Sequence, residues 1–228
     1  MTRRYFNTPK GIAIYPSLQK PNDKFNKFQC NLKVSDSEEL KEFLAIIDGK
    51  CETIRDETIQ ALNERAENAT TGAEKKRVKE SISNLAVNKP YTENVDDNGD
   101  VIAGEWVLKT SCPAEGKSRQ GTVYQNKVAV FDSTGKPFPK DIDVWGGSEV
   151  ILQVEPRMYY VAGISKCGVS LRLRAAQIIE LVSGGKGNAD SYGFSTQEGY
   201  SAPEEDATVK DTKPLEVMDD SKDDSIDF

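Results

Sequence analysis

Lys27-Phe28-Gln29-Cys30-Asn31-Leu32-Lys33-Val34 is a strict alternation of polar and apolar side chains. A period of two is typical of a β-strand that buries one face and exposes the other. Residues 27–34 therefore predict a strand of a half-exposed sheet. Its outer face carries lysines, and Lys33 is a candidate contact for an anionic ligand.

The segments on both sides of this strand extend the prediction. A short apolar run at 12–15 predicts a preceding strand, and a turn-rich segment at 16–26 joins it to the strand at 27–34. After it, Ser35 and Glu38 have the spacing of a capping box and predict a helix to about residue 66, which Gly49 ends or interrupts. A second, basic helix is predicted over 73–85.

From residue 100 onward the pattern returns to strands. They are predicted at 101–111, 122–131, 149–155, 159–164 and 169–182, with turn-forming residues between them. No alternation of strands and helices is visible, so a parallel α/β sheet is not expected. The fold class is mainly β, a small β-barrel with a helical insertion at about 36–86.

The distribution of charge divides the chain in two. The net charge is −7, but residues 186–228 hold 12 acidic and 4 basic side chains, a net charge of −8 that leaves +1 for residues 1–185. The segment 186–228 has few large aliphatic side chains, so we expect it to be disordered. We therefore predict a folded domain at 1–185, free to carry a basic face, and a flexible acidic tail at 186–228.

Composition also excludes several classes of function. The chain has no histidine, which removes Ser-His and Cys-His catalysis and most metal-hydrolase chemistry. Its four cysteines lie far apart and predict buried free thiols. We expect no enzyme activity, no cofactor and no metal. The EF-hand-like residues 94–105 lack flanking helices and predict a β-turn at 97–99 instead.

Membrane insertion and export are not expected either. No segment approaches the roughly 20 apolar residues of a membrane helix. The first six residues have no apolar run behind their charges, so they do not predict a signal peptide. The cytoplasm is the expected location.

The last residues form a candidate partner-binding motif. An aliphatic residue and a terminal aromatic residue stand among carboxylates, which suits an apolar pocket with a basic rim. An ordinary solubilising tail is the alternative. The candidate partner-binding residues are Asp223, Asp224, Ile226, Asp227 and Phe228.

Basic and aromatic residues of the predicted strands form a candidate site for single-stranded DNA. Cations neutralise phosphates, and aromatic rings stack on any base, so this combination binds single strands without sequence preference. Arg172 and Arg174 flank Leu173 and are predicted to project to one face. Tyr159 and Tyr160 are adjacent, so at most one of them faces the ligand. Further candidates are Lys109, Lys127, Arg157 and Lys166, while Trp106 and Trp145 are expected in the core.

The sequence also resembles a known family, the single-stranded DNA-binding proteins of podoviruses related to coliphage T-seven. The similar pieces keep their order and spacing along nearly the whole chain. They are Arg3–Phe6, Ala13–Tyr15, Lys20-Pro21, Asp97–Asp100, Trp106–Lys109, Val130–Lys136, Gly146–Ser148, Ile178–Val182, Gly184-Gly185, Gly199-Tyr200 and the acidic tail ending in Asp227-Phe228.

The resemblance implies an OB-fold and a role in phage DNA replication and recombination. It implies binding of single-stranded DNA, promotion of strand annealing, homodimerisation, and tail-mediated contact with the phage DNA polymerase and primase-helicase in the infected bacterial cytoplasm. It matches Arg3 and Lys109 to basic DNA-binding positions, Tyr159 or Tyr160 to groove aromatics, and Phe228 to the terminal aromatic. The alternative is a structural or scaffolding protein whose tail docks a partner and whose barrel binds no DNA.

Overall fold

A computed structural model describes residues 4–118 and 120–182. The helices are α1 (Glu38–Asn68) and α2 (Gly72–Ser83), and a 3-10 turn lies at Ala162–Ile164. The strands are β1 (Phe6–Asn7), β2 (Gly11–Asn22), β3 (Lys27–Ser35), β4 (Ala86–Asn88), β5 (Tyr91–Val95), β6 (Val101–Leu108), β7 (Thr110–Pro113), β8 (Glu115–Lys117), β9 (Val123–Gln125), β10 (Ala129–Phe131), β11 (Glu149–Val161) and β12 (Lys166–Glu180).

Five of the strands close into a barrel. Strand β2 pairs with β3 on one side and with the start of β11 on the other. Strands β7 and β12 complete the ring, in the order β2-β3-β7-β12-β11 and back to β2. Numbered 1 to 5 along the chain, these five strands follow the order 1-2-3-5-4 around the barrel. Strand β3 leads into the helices, and β11 and β12 form a hairpin. Closure leaves every barrel strand with one inward and one outward face.

The core fills the inside of this barrel. Each strand contributes alternate residues, and the alternation predicted for 28–34 is observed, since its four apolar side chains are buried. Burying a leucine or valine side chain contributes roughly 1.5–3 kcal/mol to stability. The most buried large side chains of the strands are Leu32, Leu108, Val150, Leu152, Val154, Val169, Leu171 and Leu173.

All four cysteines are buried free thiols, as predicted. Burial raises the pKa of Cys30 to about 12, because a thiolate inside the barrel would lose its hydration. The thiol of Cys30 therefore behaves as a small apolar side chain of the core.

The helical insertion lies between β3 and β4, as predicted, but its start differs. The side chain of Ser37, not Ser35, caps α1 by accepting a hydrogen bond from the backbone N–H of Leu40. The chain stays extended through Ser35, because the next N–H, that of Asp36, donates to the carbonyl of Gly104. Gly49 does not interrupt α1, which remains helical to residue 68. Neither described helix is long and apolar enough to cross a membrane.

Several predicted boundaries change where a strand bends. The segment 16–26 is mostly strand, because β2 continues to residue 22 through a bulge at Tyr15-Pro16. The two strands predicted at 149–155 and 159–164 form the single strand β11, with Pro156 inside it. The turn predicted at 97–99 joins β5 and β6, where the carboxylate of Asp96 accepts backbone hydrogen bonds from Asn98 and Asp100.

Candidate nucleic-acid interface

Cationic and aromatic side chains gather on the outside of β11 and β12. Leu173 is buried, so Arg172 and Arg174 on either side of it project outward, as the sequence predicted. Residues directly opposite in an antiparallel pair share a face, which places Arg157 outward opposite exposed Ser170. We call the following outward side chains the β11–β12 face: Tyr5, Glu155, Arg157, Tyr159, Arg172 and Arg174.

The strand register separates the two adjacent tyrosines. Tyr159 lies opposite Gly168, on the same side as Arg157, whereas Tyr160 lies opposite the buried Cys167. The hydroxyl of Tyr159 accepts a hydrogen bond of 2.8 Å from Nδ2 of Asn88. Tyr159 is therefore the tyrosine of the β11–β12 face, and Tyr160 points to the opposite side of the hairpin.

A buried carboxylate organises two arginines of this surface. Glu155 is only 5% exposed, and its Oε1 accepts a hydrogen bond of 2.6 Å from Nε of Arg4. Its Oε2 accepts one of 3.2 Å from Nη2 of Arg157. Burial alone raises the pKa of Glu155, but the two arginines outweigh it and hold that pKa below its ordinary value. The hydrogen bond to Glu155 in turn raises the pKa of Arg4.

Arg172 is held from the other side of the face. Its Nη2 donates a hydrogen bond of 2.6 Å to Oδ1 of Asn126, while its buried Nε has no protein acceptor among the described residues. Burial lowers the pKa of Arg172, but the side chains of Cys112 and Tyr124 outweigh that effect and keep it raised. Arg172 is thus a half-buried cation that Asn126 holds in place and whose buried Nε–H has no acceptor among the described residues.

Three aromatic side chains that lie beside cations were missed in the sequence. The ring of Tyr5 lies 5.6 Å from the guanidinium carbon of Arg4 and 5.4 Å from that of Arg174. Tyr124 is exposed beside Arg172, and Phe25 is exposed in the β2–β3 turn between Lys24 and Lys27. An aromatic residue close to cations in the sequence is the signal that finds Tyr5, after Arg3-Arg4, and Phe25, between Lys24 and Lys27.

Lys109 extends the cationic surface toward β3. Strands β7 and β12 pair in parallel at Thr110 and Leu171, so the preceding residues, Lys109 and Ser170, lie side by side. The register of β3 with β6 and β7 places Asn31 on the other side of Lys109. Lys109 is exposed and stands between these polar neighbours.

The other predicted cations lie on the neighbouring parts of the barrel. Lys33 is on the outer face of β3, where its Nζ lies 3.7 Å from Oε2 of Glu105. Lys127 is exposed and follows Asn126, the hydrogen-bond partner of Arg172. Lys166 is exposed at the tip of the β11–β12 hairpin, opposite Val161. Arg3 and the tail residues 223–228 lie outside the described residues.

No metal site accompanies this surface in the part of the chain that the structure describes. Within 4–118 and 120–182, no three cysteine or carboxylate side chains form a group that could hold a metal ion.

Comparison with known proteins identifies the fold. No family model matches the sequence, and no curated protein matches it. Among solved structures, gp2.5, a single-stranded DNA-binding protein encoded by bacteriophage T7, superimposes with a TM-score of 0.60 at 19% identity, over 87% of this chain and 98% of that chain. The single-stranded DNA-binding protein from bacteriophage Enc34 gives a TM-score of 0.47 at 16% identity, over 83% of this chain and 90% of that chain. The likeness to gp2.5 confirms the mainly β OB-fold with its helical insertion.

Proposed function

We propose that this protein binds single-stranded DNA on the β11–β12 face without preference for base sequence. The observation that carries the proposal is the interleaving of guanidinium groups with the rings of Tyr5 and Tyr159 on one side of a closed barrel. Guanidinium groups bind phosphates, and rings stack on bases of any sequence. That gp2.5 shares the fold and binds single-stranded DNA supports the same assignment.

The outward residues between the cations suit an extended strand. A row of outward side chains crosses neighbouring strands of the barrel from Arg172. Its next members are Ser111 on β7 and Gln29 on β3. These side chains are uncharged, so a backbone can cross the barrel between Arg172 and the lysines of β3. Neighbouring strands lie about 4.8 Å apart, which gives a path of roughly 10 Å from β12 to β3.

The proposed biological role is in phage DNA replication and recombination. The protein coats single-stranded DNA, promotes annealing, and acts as a homodimer in the cytoplasm of the infected bacterium, without enzyme activity. Its acidic tail, ending in Ile226, Asp227 and Phe228, recruits the phage DNA polymerase and primase-helicase. The concentration of the chain's negative charge in residues 186–228 and the family resemblance support this role.

Binding of oligo(dT) by the full-length protein tests the central claim. Arg157→Ala removes one phosphate contact, so it weakens binding and makes the dependence of log K on log salt shallower by about 0.7. Arg65→Ala is the matched control, because it removes an exposed guanidinium on α1, where it pairs with Glu74. The control keeps the affinity and slope of the unaltered protein.

The tail is tested with a variant that lacks residues 208–228. We expect it to bind oligo(dT) more tightly at low salt, because acidic groups that repel phosphate are removed, and to lose binding to the polymerase. If the full-length protein binds no oligo(dT) at low salt, the β11–β12 face is not a DNA site, and the scaffolding function takes its place.

A further inference from the structure

Two exposed aromatic side chains share a cleft outside the β11–β12 face. Tyr15 of β2 is 78% exposed, and Trp145, expected in the core, is 53% exposed. Both line a cavity of about 490 Å³, with Pro16, Leu18 and Pro21 among its walls. Because both side chains are largely exposed, their rings are open to a ligand.

The backbone at Tyr15 is strained in a way that turns its ring outward. Its φ is 48°, in the left-handed region that a bulky side chain rarely adopts. Pro16 follows it, and a residue before proline normally stays extended. Ile14 pairs with Asn31 and Ser17 with Gln29, so Tyr15 and Pro16 together oppose the single residue Cys30. This is a β-bulge, a feature that commonly re-aims a side chain beside a functional site.

Trp145 reaches the same place from a loop that runs alongside β2. The backbone N–H of Trp145 donates to the carbonyl of Val182, and that of Gly147 donates to the carbonyl of Ala13. These bonds fix the loop one strand-width from Tyr15. Neither aromatic side chain packs in the barrel core, whose clustered members are other residues.

The cleft continues the row of outward residues that begins at Arg172. From Arg172 the row passes Ser111 and Gln29 to Ser17, two residues after Tyr15. Three strand spacings of about 4.8 Å separate Arg172 from Ser17, or roughly 14 Å. A strand of DNA that crosses the barrel from β12 toward β2 therefore arrives at Tyr15 and Trp145.

We propose that Tyr15 and Trp145 form a second base-stacking site, which holds bases of a single strand after it leaves the β11–β12 face. Asp23 and Asp143 also line the cleft and repel phosphate, so the base rather than the backbone enters it. Lys20, at the same cleft, pairs with the adjoining phosphate. This inference rests on the proposed function and extends its path across β2.

The test compares an oligonucleotide of about 16 dT residues with an abasic strand of the same length. Loss of one stacked base lowers affinity at least about fivefold. Tyr15→Ala and Trp145→Ala should each show this loss with the 16-mer. They should leave the affinity for the abasic strand, which offers no base to stack, unchanged within twofold.

Conservative variants keep the result specific to stacking. Tyr15→Phe and Trp145→Phe retain a ring and should keep most of the affinity for the 16-mer. In a Trp106→Phe protein the sole tryptophan is Trp145, and its emission should be quenched by the 16-mer. Thermal unfolding followed by circular dichroism checks that each variant is folded.

Three results overturn the inference while leaving the proposed function intact. They are unchanged affinity of both alanine variants for the 16-mer, an equal loss with the abasic strand, and emission of Trp145 that responds to a basic proline-rich peptide but not to the 16-mer. Aromatic clefts with acidic rims also bind such peptides, which makes the last result informative. If the unaltered protein does not bind the 16-mer, the proposed function and this inference fail together.

Discussion

Replacing Glu155 by glutamine should make DNA binding stronger and more sensitive to salt. Glu155 is the one acidic member of the β11–β12 face, and it neutralises part of the charge of Arg4 and Arg157. The three side chains together carry a charge of +1, and Glu155→Gln raises it to +2. Both guanidinium groups then become available to phosphate.

The size of the effect follows from counterion release. One more neutralised phosphate steepens the slope of log K against log salt by about 0.7 for a single strand. Over a fourfold change in salt, the affinity of the variant then falls about 2.6-fold more than that of the unaltered protein. The variant should also be less stable by about 1–3 kcal/mol, because a buried charged hydrogen-bond acceptor is lost.

Fluorescence titration with oligo(dT) at several salt concentrations measures this slope. Glu149→Gln is the matched control, since Glu149 also lies on β11 in an ion pair of 3.0 Å with Lys10. It is six residues from Glu155, about 20 Å along the strand and beyond the Debye length at moderate salt. A slope for Glu155→Gln that equals the control's, or is shallower than the unaltered protein's, would refute the placement of DNA beside Arg4 and Arg157.

Three further predictions concern stability and reactivity. Because folding lowers the pKa of Glu155, its stabilising contribution is present above its unfolded pKa of about 4.3 and is lost as the pH falls through the folded value. In urea unfolding from pH 6 downward, the free energy of unfolding of Glu155→Gln should fall less steeply than that of the unaltered protein, and parallel curves would contradict this. Tyr15→Gly should be more stable than Tyr15→Ala by about 1 kcal/mol in urea, the reverse of the order in a regular strand, because φ is positive there; a more stable alanine variant would argue against the left-handed backbone. Cys30 and the other buried thiols should react with a chromogenic disulfide reagent at about pH 8 only after unfolding, whereas fast labelling of the native protein would show that the barrel is open.

The sequence predicted the β architecture well where local pattern and burial agree. The alternation at 28–34 and around Leu173 identified the inward and outward faces of β3 and β12, because a period of two follows directly from strand geometry. The helical insertion, the buried thiols and the outward arginines were predicted for similar reasons. Errors arose where a distant contact altered a local signal. Ser37, rather than the predicted Ser35, caps α1, because the N–H of Asp36 donates to the carbonyl of Gly104 and keeps the chain extended there.

The sequence by itself determined which side chains alternate along each strand and where acidic charge is concentrated, since both are properties of neighbours along the chain. Only the tertiary structure decided which tyrosine joins the cations, because the choice between Tyr159 and Tyr160 depends on the register of β11 with β12. It also brought Tyr5 of the N-terminal segment to Arg174, and turned Tyr15 and Trp145 outward at a bulge and a loop. The contacts of Tyr5 with Arg174 and of Gly147 with Ala13 join segments more than 100 residues apart. The other placements depend on strand register and on a bulge, and no local pattern encodes how a sheet closes on itself.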